Sequence, residues 1–216
     1  MLEKMDEFFE KRLSGYDEHM LTEIEGAREF YPFTASLLTK ENGKSILDLG
    51  CGTGLELEFY FSLGGKADIT CVDLSKGMLE ALKKKFADKN IDTVLGSYFD
   101  VPFAENHFDS ALSVESLHHF TKEEKILLYK KLRKALKADG FFVLTDYFAS
   151  SADSEKQFRS ELLRLKAEQG IKDDSFYHFD TPLTVGHEIE ALVEAGFSSV
   201  KILKNWSATY TLVATK

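Results

Sequence analysis

Three glycines, two aspartates and a pair of adjacent histidines have the types and spacing to do chemistry in this chain. The run Asp48-Leu-Gly50-Cys-Gly52-Thr-Gly54 follows a short apolar stretch, Ser45–Leu49, and precedes a helical run, Leu55–Leu63. Glycines there allow positive φ and let a ligand come close to the backbone. The spacing is G-x-G-x-G. The dinucleotide fingerprint G-x-G-x-x-G fails, because the sixth position counted from Gly50 is Leu55. A pyrophosphate gains from a bare helix N-terminus, and the Asp48 carboxylate opposes that. It suits a ligand carrying a cationic ammonium instead. Asp73 ends the next apolar stretch, where a carboxylate can accept both hydroxyls of a ribose. In Ser113-Val-Glu-Ser-Leu-His118-His119-Phe120, two imidazoles sit at the carboxyl end of a fourth strand. An unperturbed imidazole titrates near neutrality, so His118 and His119 are candidates for a general base. Capping or filling the entry of the following helix is the other role open to each.

The elements that must position these groups can be read from periodicity. Strands are expected at Ser45–Leu49, Asp68–Val72, Thr93–Gly96, Ser110–Val114 and Phe141–Thr145, the last apolar throughout as a buried parallel strand should be. Helices alternate with them at Leu55–Leu63, Ser75–Phe86 and Thr121–Leu136. Ser75 is an N-cap, Thr121 and Glu124 match a capping box, and Asp139-Gly140 is expected to form the turn after the third of these helices. Such alternation argues for an open, doubly wound parallel sheet. Before it, residues 2–13 and a stretch from Asp17 to Lys40 have helical spacing, with a break at Ser14-Gly15 and a kink or split expected at Pro32. After it come helices Ser154–Gln169 and Thr184–Ala195, then strands Val200–Lys204 and Ala208–Ala214. Only Asn205-Trp206-Ser207 joins these two strands, which must therefore be antiparallel.

Composition narrows the function classes. The chain has 216 residues, 44% of them apolar and 29% charged, which suits a globular domain with a full core. A formal net charge of −9 disfavours a broad nucleic-acid footprint, and the one tight basic run, Lys83-Lys84-Lys85, reads as a solvated helix face. Cys51 and Cys71 lack metal-type spacing, and no metal site is expected. The charged amino terminus has no apolar signal-peptide core, and no apolar run reaches the ~18 residues that span a bilayer. A soluble cytoplasmic protein is expected.

With the glycine loop, Asp73 and the segment Gly96-Ser-Tyr-Phe-Asp100-Val-Pro-Phe103 in view, residues 44–147 resemble the class I S-adenosylmethionine-dependent methyltransferases. The terminal hairpin fits that family's reversed last strand. The resemblance implies an α/β doubly wound, mainly parallel seven-stranded sheet of order 3-2-1-4-5-7-6, with an N-terminal helical lid. It places Gly50, Cys51, Gly52 and Gly54 against the methionine and ribose portions of S-adenosylmethionine and Asp48 near its amino group. Asp73 falls on the ribose, with Leu74 beside the adenine. Met78 can lie against the purine or belong to the helix core. Where the family has an aspartate for the adenine amino group, this chain has Ser97, whose hydroxyl can still accept a hydrogen bond. Tyr98 can offer its backbone N–H or its ring to the base, and Asp100 is expected to cap a turn. Ser113 begins the segment that borders the cofactor's methionine part and the acceptor. By the same resemblance His119 aligns with a histidine of small-molecule N-methyltransferases and is the catalytic candidate, with His118 on the acceptor. Tyr16, beside Asp17, can make a cation–π contact with the sulfonium, anchor the lid, or both. Tyr147, Phe148, Tyr177 and His178 are candidates to line the acceptor pocket, although plain packing suits the loop Phe176–Asp180.

The expectation is one methyltransferase domain over 1–216: a lid over 1–40, a cofactor-binding core over 44–147, a helical insertion and last helix over 148–196, and a hairpin over 198–215. It would move a methyl group to a small-molecule acceptor, releasing S-adenosylhomocysteine, with no nucleic-acid or membrane partner. Oligomeric state is not legible. Three rivals share parts of the pattern. One is a same-fold enzyme that modifies the cofactor, such as a carboxy-S-adenosylmethionine synthase, with Arg28 as a candidate partner for the added carboxylate. Another is a non-catalytic cofactor-binding module. The third is a nicotinamide-dependent oxidoreductase, against which the failed spacing counts.

Overall fold

The computed structural model describes residues 1–173 and 175–216. Seven strands form one sheet: β1 Ser45–Leu49, β2 Asp68–Asp73, β3 Ile91–Leu95, β4 Phe108–Val114, β5 Leu136–Tyr147, β6 Ser199–Trp206 and β7 Thr209–Thr215. Their order is β3-β2-β1-β4-β5-β7-β6. The first five pair in parallel, and β7 runs antiparallel to both β5 and β6. The expected order and reversed last strand are therefore present. The helices are α1 Met5–Arg12, α2 Tyr16–Glu23, α3 Ala27–Leu37, α4 Leu55–Ser62, α5 Lys76–Lys85, α6 Lys122–Ala135, α7 Ala152–Glu168 and α8 Val185–Glu194. Among the described residues no helix is long and apolar enough to cross a membrane.

The sheet buries both faces, and side chains alternate between two cores as the pleat requires. Leu47, Leu49, Ala111, Phe142 and Leu144 pack with residues of α6 and α8. Ile46, Leu112 and Val143 pack on the other side with residues of α3, α4 and α5. The caps form as expected: Ser75 accepts from the Met78 N–H, and Thr121 and Glu124 make a reciprocal box. On the α6–α8 side the Lys125 ammonium meets the Glu188 carboxylate at 2.5 Å, and the Tyr129 hydroxyl donates to the same carboxylate. All three side chains are buried.

Three local expectations need correction. Pro32 lies inside α3 without splitting it, and the chain breaks instead between α2 and α3. There Gly26 has φ +81°, and a Cβ on it would stand 2.6 Å from Trp206 Cβ, so only glycine turns the chain this close to the indole. The turn at Asp139-Gly140 does not link separate elements, because α6 leads straight into a long β5; it is a bulge within that strand, where Gly140 folds back on Lys137 and the step from Leu136 to Phe141 stands against the step from Phe108 to Ser110. Finally, β6 and β7 run further than expected, to the pair Trp206–Thr209, with Ser207 at φ +53° in the tight turn between them.

Candidate active site

The loop between β1 and α4 is built on positive φ at Gly50 (+72°), Gly52 (+51°) and Gly54 (+74°). At Gly50 glycine is strongly favoured, since a Cβ would lie 2.0 Å from the Ser116 hydroxyl in a left-handed backbone. The Gly50 N–H donates to the Val72 carbonyl at 2.8 Å, pinning the loop to the end of β2. Asp73 continues the tie. Its carboxylate accepts the Gly52 N–H and the Ser75 N–H, each at 2.8 Å, and so bridges the loop to the start of α5.

Asp48 stands behind this loop. It is 1% exposed, and neither carboxylate oxygen finds a hydrogen-bond donor among the described residues. Burial pushes its pKa well up, and neighbouring Glu56 adds to the rise. Glu56 is buried as well, with Oε1 also unpartnered among the described residues, and burial pushes it up to about 7. Half-buried Tyr16 and buried Tyr31 resist ionisation because they are shielded from water and because carboxylates surround them. Unpaired buried carboxylates are costly unless a cation arrives. The Asp48–Glu56 pair behind the glycine loop therefore has the electrostatics to attract a cation.

Two cavities meet in front of the loop. The smaller, about 40 Å³, is lined by Gly50, Gly52, Asp73, Leu74, Met78, Tyr98 and Ser116, with Met5, Phe9 and Tyr16 closing it from the amino-terminal helices. The larger, about 770 Å³, lies between α1–α2 and a wall that includes Glu115, His118, His119, Tyr147, His178 and Asp180. Phe9, Tyr16, Glu115 and His119 border both. The amino-terminal helices are tied across the site. Glu10 accepts from the Ser75 hydroxyl at 2.7 Å and the Gly77 N–H at 3.0 Å, while Asp17 pairs with Lys85 at 2.6 Å and accepts from the Thr53 hydroxyl.

The histidine pair occupies a short 3₁₀ turn, Leu117–His119. His118 Nδ1 lies 2.5 Å from the buried Asp146 carboxylate. Burial works against its charged form, but Asp146, with Asp180 and Glu115, outweighs it and raises His118 to about 9. His119 Nδ1 faces the Phe179 carbonyl at 3.2 Å. Burial and the neighbouring His118 charge lower its pKa.

The sequence-expected residues are distributed unevenly. Tyr16, Gly50, Gly52, Asp73, Leu74, Met78 and Tyr98 line the small cavity, and His118, His119 and Tyr147 line the large one. Five others stand behind the walls. Asp48 and Cys51 are buried, Gly54 packs on Phe86, Ser113 donates to the Leu49 carbonyl at 2.9 Å, and the Ser97 hydroxyl accepts from Phe99 N–H at 3.2 Å. Ser97 thus has the turn-capping place expected of Asp100. Tyr177 borders a different cavity and donates to Asp173 at 3.2 Å, whereas its neighbour His178 stacks on Phe8 at 3.4 Å in the wall of the large cavity. Arg28 donates to the Leu21 carbonyl and borders neither cavity. Met5, Phe9, Glu115, Ser116 and Asp180 were not picked out from sequence. Asp180 sits in the aromatic loop read as packing, and Ser116 is visible only through its contact with Gly50.

Residues 46–140 match the family model described as a methyltransferase domain. The cypemycin N-terminal methyltransferase of a Streptomyces species is 34% identical over 46% of this chain and 40% of its own length. A 2-phytyl-1,4-naphtoquinone methyltransferase of a Nostoc species is 27% identical over 73% of each chain. In fold, the chain is similar to human N-acetylserotonin methyltransferase in complex with SAM. The TM-score is 0.67 at 17% identity, covering 98% of this chain and 56% of that one. The chain thus spans less than half of the first relative and little more than half of the human enzyme. The glycine loop, the sheet order with its reversed last strand and the matched domain agree: residues 46–140 carry a methyltransferase domain, set in the fold of the class I S-adenosylmethionine-dependent methyltransferases.

Proposed function

We propose that this chain transfers the methyl group of S-adenosylmethionine to a small-molecule acceptor held in the 770 Å³ cavity. The observation that carries the reading is Asp48, a buried carboxylate without a donor, behind a glycine loop whose geometry leaves no room for a Cβ at Gly50 or Gly54. When bound, the cofactor supplies an electrophilic methyl on a sulfonium, already a good leaving group. Asp48 would balance its ammonium, Asp73 would receive the ribose hydroxyls, and Leu74, Met78 and Tyr98 would flank the base. The remaining work of the protein is alignment and exclusion of water.

Residues 1–40 act as the lid. Met5 and Phe9 fill most of the space beside the loop, since ~40 Å³ is far below the 300 Å³ or more of an ordinary ligand pocket. Helix α1 must therefore withdraw to admit the cofactor and then close over it. The core over 44–147, the segment 148–196 and the hairpin over 198–215 complete a single domain around that movement. His119 is assigned to take a proton where the acceptor atom carries one, because it is the histidine that borders both cavities. The relatives' acceptors, a peptide amino terminus and a naphthoquinone ring, define the first compounds to try. The test is incubation with methyl-labelled S-adenosylmethionine and a panel of amines, quinols and phenols. Label in an acceptor together with released S-adenosylhomocysteine is expected, and a modified cofactor with no acceptor labelled would overturn the proposal.

A further inference from the structure

We infer that His118, His119 and Asp180 form a binding site for one divalent transition-metal ion on the wall of the large cavity. His118 Nε2 lies 3.6 Å and His119 Nδ1 3.2 Å from the same atom, Asp180 Oδ1, and the three ligand atoms lie within 4.8 Å of one another. A tetrahedral zinc with bonds of ~2.0–2.2 Å holds its ligand atoms roughly 3.3–3.6 Å apart, so the two measured separations bracket that spacing. Two imidazoles and one carboxylate suit zinc, iron(II) or cobalt(II) better than magnesium or calcium, which prefer oxygen.

Two independent features point to a cation there. Asp180 Oδ1 is shielded from solvent and finds no hydrogen-bond donor of good geometry among the described residues, although two imidazoles stand close. His118 also has the outer partner that metal-bound histidines use. Its Nδ1 is held at 2.5 Å by the buried carboxylate of Asp146, which fixes the ring and leaves Nε2 turned toward Asp180. The backbone reinforces the arrangement, for the Thr181 N–H donates to the His118 carbonyl at 2.8 Å and so clamps the Asp180 loop to the 3₁₀ turn. The ion would displace two protons: the one on His119 Nδ1 now directed at Phe179, and the one that His118 carries on Nε2 while its Nδ1 proton stays with Asp146. His119 would then be a ligand rather than a base.

Three protein ligands leave a position open to the cavity, the pattern of catalytic rather than structural zinc. A thiol or hydroxyl bound there gives up its proton to solvent as its lone pair joins the metal. The proposal does not depend on the methyltransferase reading, and its test does not use the cofactor. The full chain is stripped with chelator, then titrated with Zn²⁺ by calorimetry and with Co²⁺ by visible absorption. One Zn²⁺ per chain and a Co²⁺ spectrum of low coordination number are expected. Asp180→Asn should weaken Zn²⁺ binding at least 100-fold. Asp146→Asn should weaken it about 10- to 100-fold, the usual effect of losing an outer partner. His19→Ala, on the rim of the same cavity, should leave it unchanged. Thermal melts establish that the variants fold. Zn²⁺ affinity equal in wild type and a folded Asp180→Asn protein would overturn the site, as would no Zn²⁺ binding by the wild type.

Discussion

Replacing Asp48 with asparagine should separate binding from stability. Asparagine keeps the shape and removes the charge. The account holds that this carboxylate has no partner until an ammonium arrives. A hydrogen bond to a charged group contributes about 1.5–3 kcal/mol, so the variant should bind S-adenosylhomocysteine roughly 10- to 150-fold more weakly. The same change removes an unpaired buried acid and its strain against Glu56, so the free protein should melt at the same temperature as wild type or higher. Methylthioadenosine, which has the nucleoside and sulfur but no amino acid, supplies the control, and its affinity should not change. Calorimetry with the two ligands and a thermal melt decide the matter. Equal loss for both ligands would show that the substitution deformed the loop. Unchanged affinity for S-adenosylhomocysteine would refute the pairing outright.

Other consequences can be checked on the purified chain. Gly50→Ala should destabilise by about 1–3 kcal/mol, because the new methyl meets the Ser116 hydroxyl at 2.0 Å in a left-handed backbone; Ser116→Gly in the same chain should recover part of the lost melting temperature. Lys125→Met strands the Glu188 carboxylate in the α6–α8 core and should cost roughly 3–5 kcal/mol in a denaturant melt, with much of that returned in a Lys125→Met, Glu188→Leu double variant. The Asp48–Glu56 pair also sets a pH dependence. Both pKa values are raised in the folded chain, so their contribution is intact at low pH and is lost as pH rises through about 7, the Glu56 value. Glu56→Gln should flatten the part of the stability profile that falls between about pH 4.5 and 7, and an unchanged profile would contradict the assignment.

The sequence reading and the structure agree best where the physics is local or periodic. The five parallel strands, the Thr121–Glu124 box and the glycine spacing at 50–54 can each be read from neighbouring residues, because pleat, cap and positive φ are short-range requirements. The break at Gly26 could not, since it depends on Trp206 far along the chain. Nor could the placing of the Asp139-Gly140 turn inside β5, which rests on the pairing of Leu136 and Phe141 with β4 that no local pattern marks. At the candidate site the cofactor-facing residues cluster on β1 and β2 and in the loops after them, where order along the chain is order in space. The opposite wall gathers from α1, the 3₁₀ turn, β5 and the 176–181 loop. Tyr177 and His178 both read as candidates for that wall and only His178 lines it, while Asp180 in the same loop looked like packing. The lone Lys125–Glu188 pair was likewise invisible, because α6 and α8 are separated by β5 and α7.

The central claim is that the loop at Gly50–Gly54, with Asp48 behind it and Asp73 beside it, receives S-adenosylmethionine. Calorimetry of the intact chain with S-adenosylhomocysteine at pH 6.5, in buffers of different ionisation enthalpy and with NAD as the comparison, tests it most directly. The account predicts one site for S-adenosylhomocysteine, no binding of NAD, and proton release on binding as the ammonium drives the Asp48–Glu56 pair to its charged form. Binding of NAD in preference, or binding of S-adenosylhomocysteine with no proton released, would contradict it.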